Sequence, residues 1–415
     1  MSPWRQRYAE VAKELPALAA HAGTTLAGFA ACVDVVIRLD GPALAKLADD
    51  AKSRDPQVRG LATRLLARMR VGRGGELVAE WDGGPAWVEG AFAGHRTVGG
   101  TSAQAAHVLA LLGAPVVLAL QDRSRAQTEV LHPSVQVAQP DGQRTCVADL
   151  VPQGRGKLPH YIFEFVAGTE LPDNTVLPRS SRVVVRFAND GMERDDYFAA
   201  AAHATRASVA LLSGFNGLSA PDWPTARDWT LRLCAVWTAA GVRHRHFELA
   251  EYPSVAFMRE VLDALGGAIT SLGMSLSELG MLTGDDAQPV AAALALAETY
   301  QLRRVCVHAD DYAFSLTRDD PAVEEQALLA GCLLAVCRAE AGRPTLPSGP
   351  PRQARLGSPP FPDLASAGNG YRLVAVPSLY LSRPAATVGL GDTFLAGTLL
   401  VHAVNRAAAP VSTSR

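Results

Sequence analysis

The stretch Ala386-Thr387-Val388-Gly389-Leu390-Gly391-Asp392-Thr393-Phe394-Leu395-Ala396-Gly397 sets two glycines and an acid at the mouth of an apolar helix that runs to about Val404. Glycines at 389 and 391 let the backbone turn tightly and approach a ligand with no Cβ in the way. The unpaired N–H groups of the first helical turn, aided by the helix dipole, then make an anion site. Asp392 lies in that turn. An acid there either caps the helix, worth about 1 kcal/mol, or faces the ligand as a base, and the local residues leave both readings open.

Upstream, from about Gly99, helical pattern alternates with short apolar strands. Pro115–Leu120, Ser208–Leu212, Arg243–Leu249, Ala268–Leu272 and Arg304–His308 read as strands, separated by helical patterns such as Ser102–Leu112, Trp223–Ala240 and Val255–Leu265. Continuous Val/Leu strands between amphipathic helices imply a mostly parallel sheet covered on both faces, an α/β sandwich. Two regions interrupt the rhythm. Residues 34–98 end in a Gly-rich run, and 136–187 hold strand-like pieces at Thr145–Leu150, His160–Val166 and Arg182–Phe187. Together they predict a small, β-rich, discontinuous lid on a large domain made of 1–33, 99–135 and 188–415. Gly342–Gly370, rich in Pro, Gly and Ser, reads as a long surface loop.

A chain of 415 residues, 48% hydrophobic, can bury a large core. Lys+Arg 39 against Asp+Glu 41 gives a net charge of −2, without the electrostatic footprint of a nucleic-acid or polybasic membrane binder. The longest apolar runs fall short of the roughly 20 residues that span a bilayer. The N-terminal segment is charged and helix-like rather than signal-like, and the six cysteines form no C-x-x-C pair. A cytoplasmic protein with reduced thiols is expected.

Several chemistries are unsupported. No G-x-G-x-x-G follows a strand, and the Gly156-Lys157 pair lacks the rest of a Walker loop. There is no G-x-S-x-G elbow and no H-E-x-x-H. His246-Phe247-Glu248 matches half of a zinc-deaminase signature, but no Pro-Cys-x-x-Cys follows.

The Thr-Val-Gly-Leu-Gly-Asp-Thr segment resembles the G-x-G-D motif of ribokinase-like sugar kinases, in the form found in the ADP-dependent glucokinase/phosphofructokinase family. Further stretches match that family in order: Gly99-Gly100 before a helix, His246-Phe-Glu248 as its H-x-E, and Leu272-Gly-Met-Ser-Leu-Ser-Glu278 as its N-x-x-E. The resemblance extends from about Gly28 to Val404. It implies a ribokinase-like three-layer αβα sandwich with a lid, and an ADP-dependent kinase that phosphorylates the 6-hydroxyl of glucose. By the same resemblance Asp392 is the general base, and the amides of Gly389, Leu390 and Gly391 form the anion hole. Asp34, Glu76, Gly99, Gly100 and His160 bind the sugar, and Glu248 and Glu278 help to hold Mg²⁺ through waters. Arg186, on a strand returning from the lid, clamps nucleotide phosphate or makes a surface ion pair.

The match is imperfect at the sugar end. The family's Gly-x-Asn-x-Asn-x-Asp strand here reads Gly28-Phe-Ala-Ala-Cys-Val-Asp34, with Ala30 and Cys32 for the asparagines, and Ser275 replaces the Asn of N-x-x-E. Glu76, in Arg73-Gly-Gly-Glu76, matches the lid acid of glucose-phosphorylating members, and its charge would repel a phosphorylated acceptor. The partners implied are ADP or ATP and a small sugar, with no nucleic acid and no membrane. Two alternatives stay open: a kinase of this fold for another hydroxyl acceptor, or a non-catalytic sugar- or nucleotide-binding regulator.

Overall fold

The apolar strands read from the sequence lie side by side at the centre of the computed structural model, which describes residues 2–188, 191–204, 206–252, 254–284 and 288–404. From edge to edge the 11-stranded sheet runs Leu364–Gly368, Tyr371–Pro377, Tyr312–Thr317, Arg304–His308, Ser271–Ser275, His244–Glu248, Val209–Leu212, Thr25–Ala27, Val116–Leu118, Gln136–Ala138 and Arg144–Cys146. The strands from Arg304–His308 across to Gln136–Ala138 are parallel, and antiparallel strands close both edges.

Parallel strands need helical crossovers, and these cover both faces. One apolar layer packs helices Pro3–His21, Thr101–Leu111, Pro321–Ala341 and Leu390–Ala403 on the sheet. The other packs Asp196–Ala204, Trp223–Ala239, Val255–Leu265, Leu276–Thr283 and Pro289–Thr299 on the opposite face. The result is the expected three-layer sandwich. No helix among the described residues is long and apolar enough to cross a membrane.

The smaller sheet has the order Gly75–Val78, Ser181–Arg186, His160–Phe165, Cys32–Arg38, His95–Gly99. Strand alternation divides its residues. Val35, Ile37, Tyr161, Phe163, Val183 and Val185 pack beneath the helices Gly41–Asp50, Pro56–Arg70 and Gly84–Ala91. The intervening Val36, Ile162 and Val184 meet Val388 of the large domain, so the opposite face looks into the cleft.

The structure differs from the sequence reading in two places. The sequence assigns residues 136–159 to the lid, but Gln136–Ala138 and Arg144–Cys146 extend the large sheet, and the second lid segment starts at His160. The predicted loop at Gly342–Gly370 contains an edge strand, Leu364–Gly368, paired with Tyr371–Pro377. Asn369 (φ 49°) and Gly370 (φ 80°) form the two-residue turn between them, for which Asn-Gly is the favoured pair. Met1 and residues 405–415 of the predicted large domain lie outside the described residues.

A buried polar chain runs beneath the carboxyl ends of the strands. Arg304 Nε donates to Glu324 Oε1 (2.8 Å), both side chains being at most 2% exposed, and His402 Nε2 stands 3.3 Å from Glu324 Oε2. Arg304 also reaches Ser271 Oγ (3.4 Å), which bonds His246 Nδ1 (2.8 Å), whose Nε2 meets Glu248 Oε2 (2.8 Å).

Candidate active site

Gly389 is the N-cap of helix Leu390–Ala403, in the left-handed conformation (φ 69°, ψ 16°) that a non-glycine residue adopts only with strain. As a glycine, the N-cap residue offers no side chain to cap this helix. Thr393 instead holds the turn, its N–H and hydroxyl donating to Gly389 O at 3.0 and 2.7 Å. Asp392 is the acid of that first turn. Burial pushes its carboxyl above the usual range, with Arg338 opposing most strongly and Thr101 and Arg182 adding to that. The turn is fixed in depth by close helix packing. A Cβ at Gly397 would stand 2.7 Å from Gly331 N and Cα, and one at Gly331 would stand 2.6 Å from the Phe394 ring, so helices Pro321–Ala341 and Leu390–Ala403 meet almost backbone to backbone.

Across the cleft, Asp34 is 4% exposed. Burial raises its carboxyl to about 7, with His160 pulling down and Asp392 pushing up. His160 Nδ1 lies 3.7 Å from Asp34 Oδ1 and 3.5 Å from Cys32 Sγ. A side chain on Gly99 would strike the Asp34 carboxylate, and one on Gly100 (φ 82°) would come within 2.7 Å of the Ala30 backbone. The glycine pair is thus what lets the lid strand, the Asp34 carboxylate and the start of helix Thr101–Leu111 share one spot.

Glu76 also reaches this side of the lid. Its Oε2 pairs with Arg186 Nη2 at 2.9 Å, and Asn216 Nδ2 of the large domain donates to its Oε1 at 3.4 Å. Of the two readings the sequence left open for Arg186, a phosphate clamp or an ion pair, the structure shows an ion pair, buried rather than at the surface, and Arg186 lines a cleft with Lys157, His160 and Phe187. Lys157 pairs with Glu193.

At the strand ends, Glu248 is flanked by His246 and, at 3.6 Å, by His308 Nε2. Burial would raise its carboxyl, but the two histidines outweigh this and hold it at about 2. Glu278 closes a capping box with Ser275: its Oε2 accepts from Ser275 N (2.6 Å), and Ser275 Oγ accepts from Glu278 N (3.2 Å). Burial raises Glu278, and Glu248 adds to the rise. Ser275 in place of asparagine thus supplies a helix cap.

These two acids fit Mg²⁺. They are mutually repelling, only one oxygen of Glu278 is engaged by the capping box, and Mg²⁺ uses few carboxylates while retaining waters and phosphate oxygens. Glu248→Gln is expected to raise the Mg²⁺ concentration for half-maximal rate by about tenfold or more. An unchanged Mg²⁺ titration would remove Glu248 from the metal site.

Three residues escape the sequence reading. His308 lies against Gly391, 3.3 Å from where its Cβ would be. Glu164, on the cleft face of the lid, accepts from Thr387 N (2.6 Å), Thr387 Oγ1 (2.7 Å) and Val388 N (3.0 Å), directly before the anion turn. Arg338 sits behind Gly389. Its only signal is a charge closing the apolar run Ala327–Cys337.

Comparison with known proteins agrees with this fold. The ADP-specific phosphofructokinase/glucokinase conserved region matches residues 24–401. A search of curated protein sequences finds no match. Among solved structures, a hypothetical ADP-dependent phosphofructokinase from Pyrococcus horikoshii OT3 superposes with a TM-score of 0.70 at 19% identity, covering 93% of this chain and 98% of that one. An ADP-dependent kinase in complex with fructose-6-phosphate and ADPβS gives 0.75 at 17% identity, over 97% and 98%. The last common ancestor of ADP-dependent phosphofructokinases from Methanosarcinales gives 0.72 at 17%, also over 97% and 98%. At these identities the likeness is one of fold.

Proposed function

The chain belongs to the ADP-specific phosphofructokinase/glucokinase family of ADP-dependent sugar kinases, and from that premise we propose that it phosphorylates the 6-hydroxyl of glucose. The observation that carries the reading is the glycine-rich turn at Gly389–Asp392, whose acid stands within electrostatic range of the lid's Asp34 across the cleft. A sugar held by Asp34, His160 and the Gly99-Gly100 backbone would present its hydroxyl to Asp392. Asp392 takes the hydroxyl proton as the oxygen bonds to the β-phosphorus, the bridging P–O bond breaks, and AMP leaves. The amides of Gly389, Leu390 and Gly391 would balance charge on the transferring group, which is most of what such a reaction asks of a protein. Mg²⁺ beside Glu248 and Glu278 supplies further charge neutralisation when bound.

Glucose rests on Glu76. One observation favours a second acceptor: Arg186 pairs with Glu76, so the acid's charge is compensated and would repel a phosphorylated hexose less than a lone carboxylate would. The deciding experiment follows AMP release by the purified protein with Mg²⁺ and ADP, using either glucose or fructose 6-phosphate, and ATP as a donor control. Turnover of glucose with ADP supports the first reading, turnover of fructose 6-phosphate alone supports the second, and turnover only with ATP discards the donor. Glu76→Ala is expected to raise KM for glucose by about tenfold. Glucose kinetics unchanged in that variant would remove Glu76 from the sugar site.

A further inference from the structure

Among the described residues, Arg338 is a buried cation without an ion-pair partner. Its side chain is 3% exposed, yet no carboxylate among the described residues lies within ion-pair distance of its guanidinium. Only Nη1 is engaged, donating to Gln104 Oε1 (2.6 Å) and Thr393 Oγ1 (2.9 Å), while Nε is buried without a hydrogen-bond partner. Both acceptors are neutral. Burying an unpaired charge is costly, so a fold keeps one chiefly where an anion will meet it.

The position of this group says which anion. A Cβ at Gly389 would overlap the guanidinium, so the cation lies flat against the α-carbon of the turn, on the side that glycine leaves vacant. Through Thr393 it also grips the residue whose hydroxyl and amide hold that turn closed. The nearest acids, Asp392 and Asp34, act on it electrostatically without touching it. The glycine-rich turn thus combines outward amides with a cation behind them.

We infer that Arg338 is the positioning residue of the anion site, acting on the terminal phosphate of the donor nucleotide through the Gly389–Thr393 turn against which it lies. The inference rests on the reading of a nucleoside diphosphate as donor. A charge placed there acts on the terminal phosphate and hardly on the phosphate nearest the nucleoside. It therefore predicts a selective effect, which a merely structural role would not produce.

The test is calorimetric titration of ADP and of AMP, at constant Mg²⁺, into wild type, Arg338→Met and Arg338→Lys. Arg338→Met should weaken ADP by at least about tenfold while AMP affinity stays within about twofold, because only the terminal phosphate loses its cation. Arg338→Lys, which keeps the charge, should retain the preference for ADP over AMP within about threefold. A folded Arg338→Met protein with the wild-type ratio of ADP to AMP affinity would overturn the inference. If Arg338→Met does not fold, Arg338→Lys decides: a retained preference supports the inference, and a folded lysine variant without it overturns it. Wild-type protein that binds AMP as tightly as ADP would instead refute the donor reading on which the inference stands.

Discussion

Asp392→Asn should lower kcat by about 10²–10⁴-fold while sugar affinity changes little, since a general base contributes in that range and the amide keeps the shape of the carboxylate. The pH profile is the more specific signature. The carboxylate must be ionised to accept a proton, and burial raises its pKa. Activity should therefore fall as pH drops through a value above the ordinary carboxylate range, and that acid limb should vanish in the asparagine variant. The measurement is kcat against pH for both proteins, with sugar binding followed separately. An active Asp392→Asn protein with the wild-type limb would rule out this base.

The largest stability effect is expected at Glu324. It accepts from Arg304 at 2.8 Å with both groups essentially inaccessible, and removing it leaves a guanidinium buried without its carboxylate. Glu324→Ala should destabilise the protein by about 3–5 kcal/mol, read from denaturant unfolding. A loss below about 1 kcal/mol would mean that Arg304 finds solvent or another partner. The sign with pH follows from the titration. Burial alone would raise Glu324, but Arg304 and His402 outweigh it and hold it at about 2, against an ordinary value of about 4.3. Its contribution is complete above the ordinary value and is lost as pH falls toward 2.

Much of this is legible in one dimension. The alternation of amphipathic helix and continuous apolar strand carries the layered fold, because burial on both faces of a parallel sheet leaves that pattern in the residues themselves. The turn at Gly389–Asp392 is legible because its constraint is local. What escapes is long-range or masked by composition. Glu164 and Arg338 act on a segment some 223 and 51 residues away, the first by direct hydrogen bonds to Thr387 and the second by lying against Gly389. No spacing rule links such positions. The sequence leaves Arg186 open between a phosphate clamp and an ion pair, because an arginine on a returning strand says nothing of its partner, which is Glu76. The edge hairpin is hidden in a Pro/Gly/Ser-rich stretch although Asn369-Gly370 is itself a turn signal.

The contact of Glu164 with Thr387 and Val388 has a thermodynamic consequence. Asp34 and His160 belong to the lid, whereas Gly100 and Asp392 belong to the larger unit, so each half of the molecule carries only part of the proposed sugar site. Three hydrogen bonds to one lid carboxylate then favour the approximated arrangement before any substrate arrives. Whatever fraction of molecules is approximated at rest scales the apparent affinity for both substrates by the same factor. Weakening this contact should therefore raise both apparent dissociation constants in parallel, with the ratio between them unmoved.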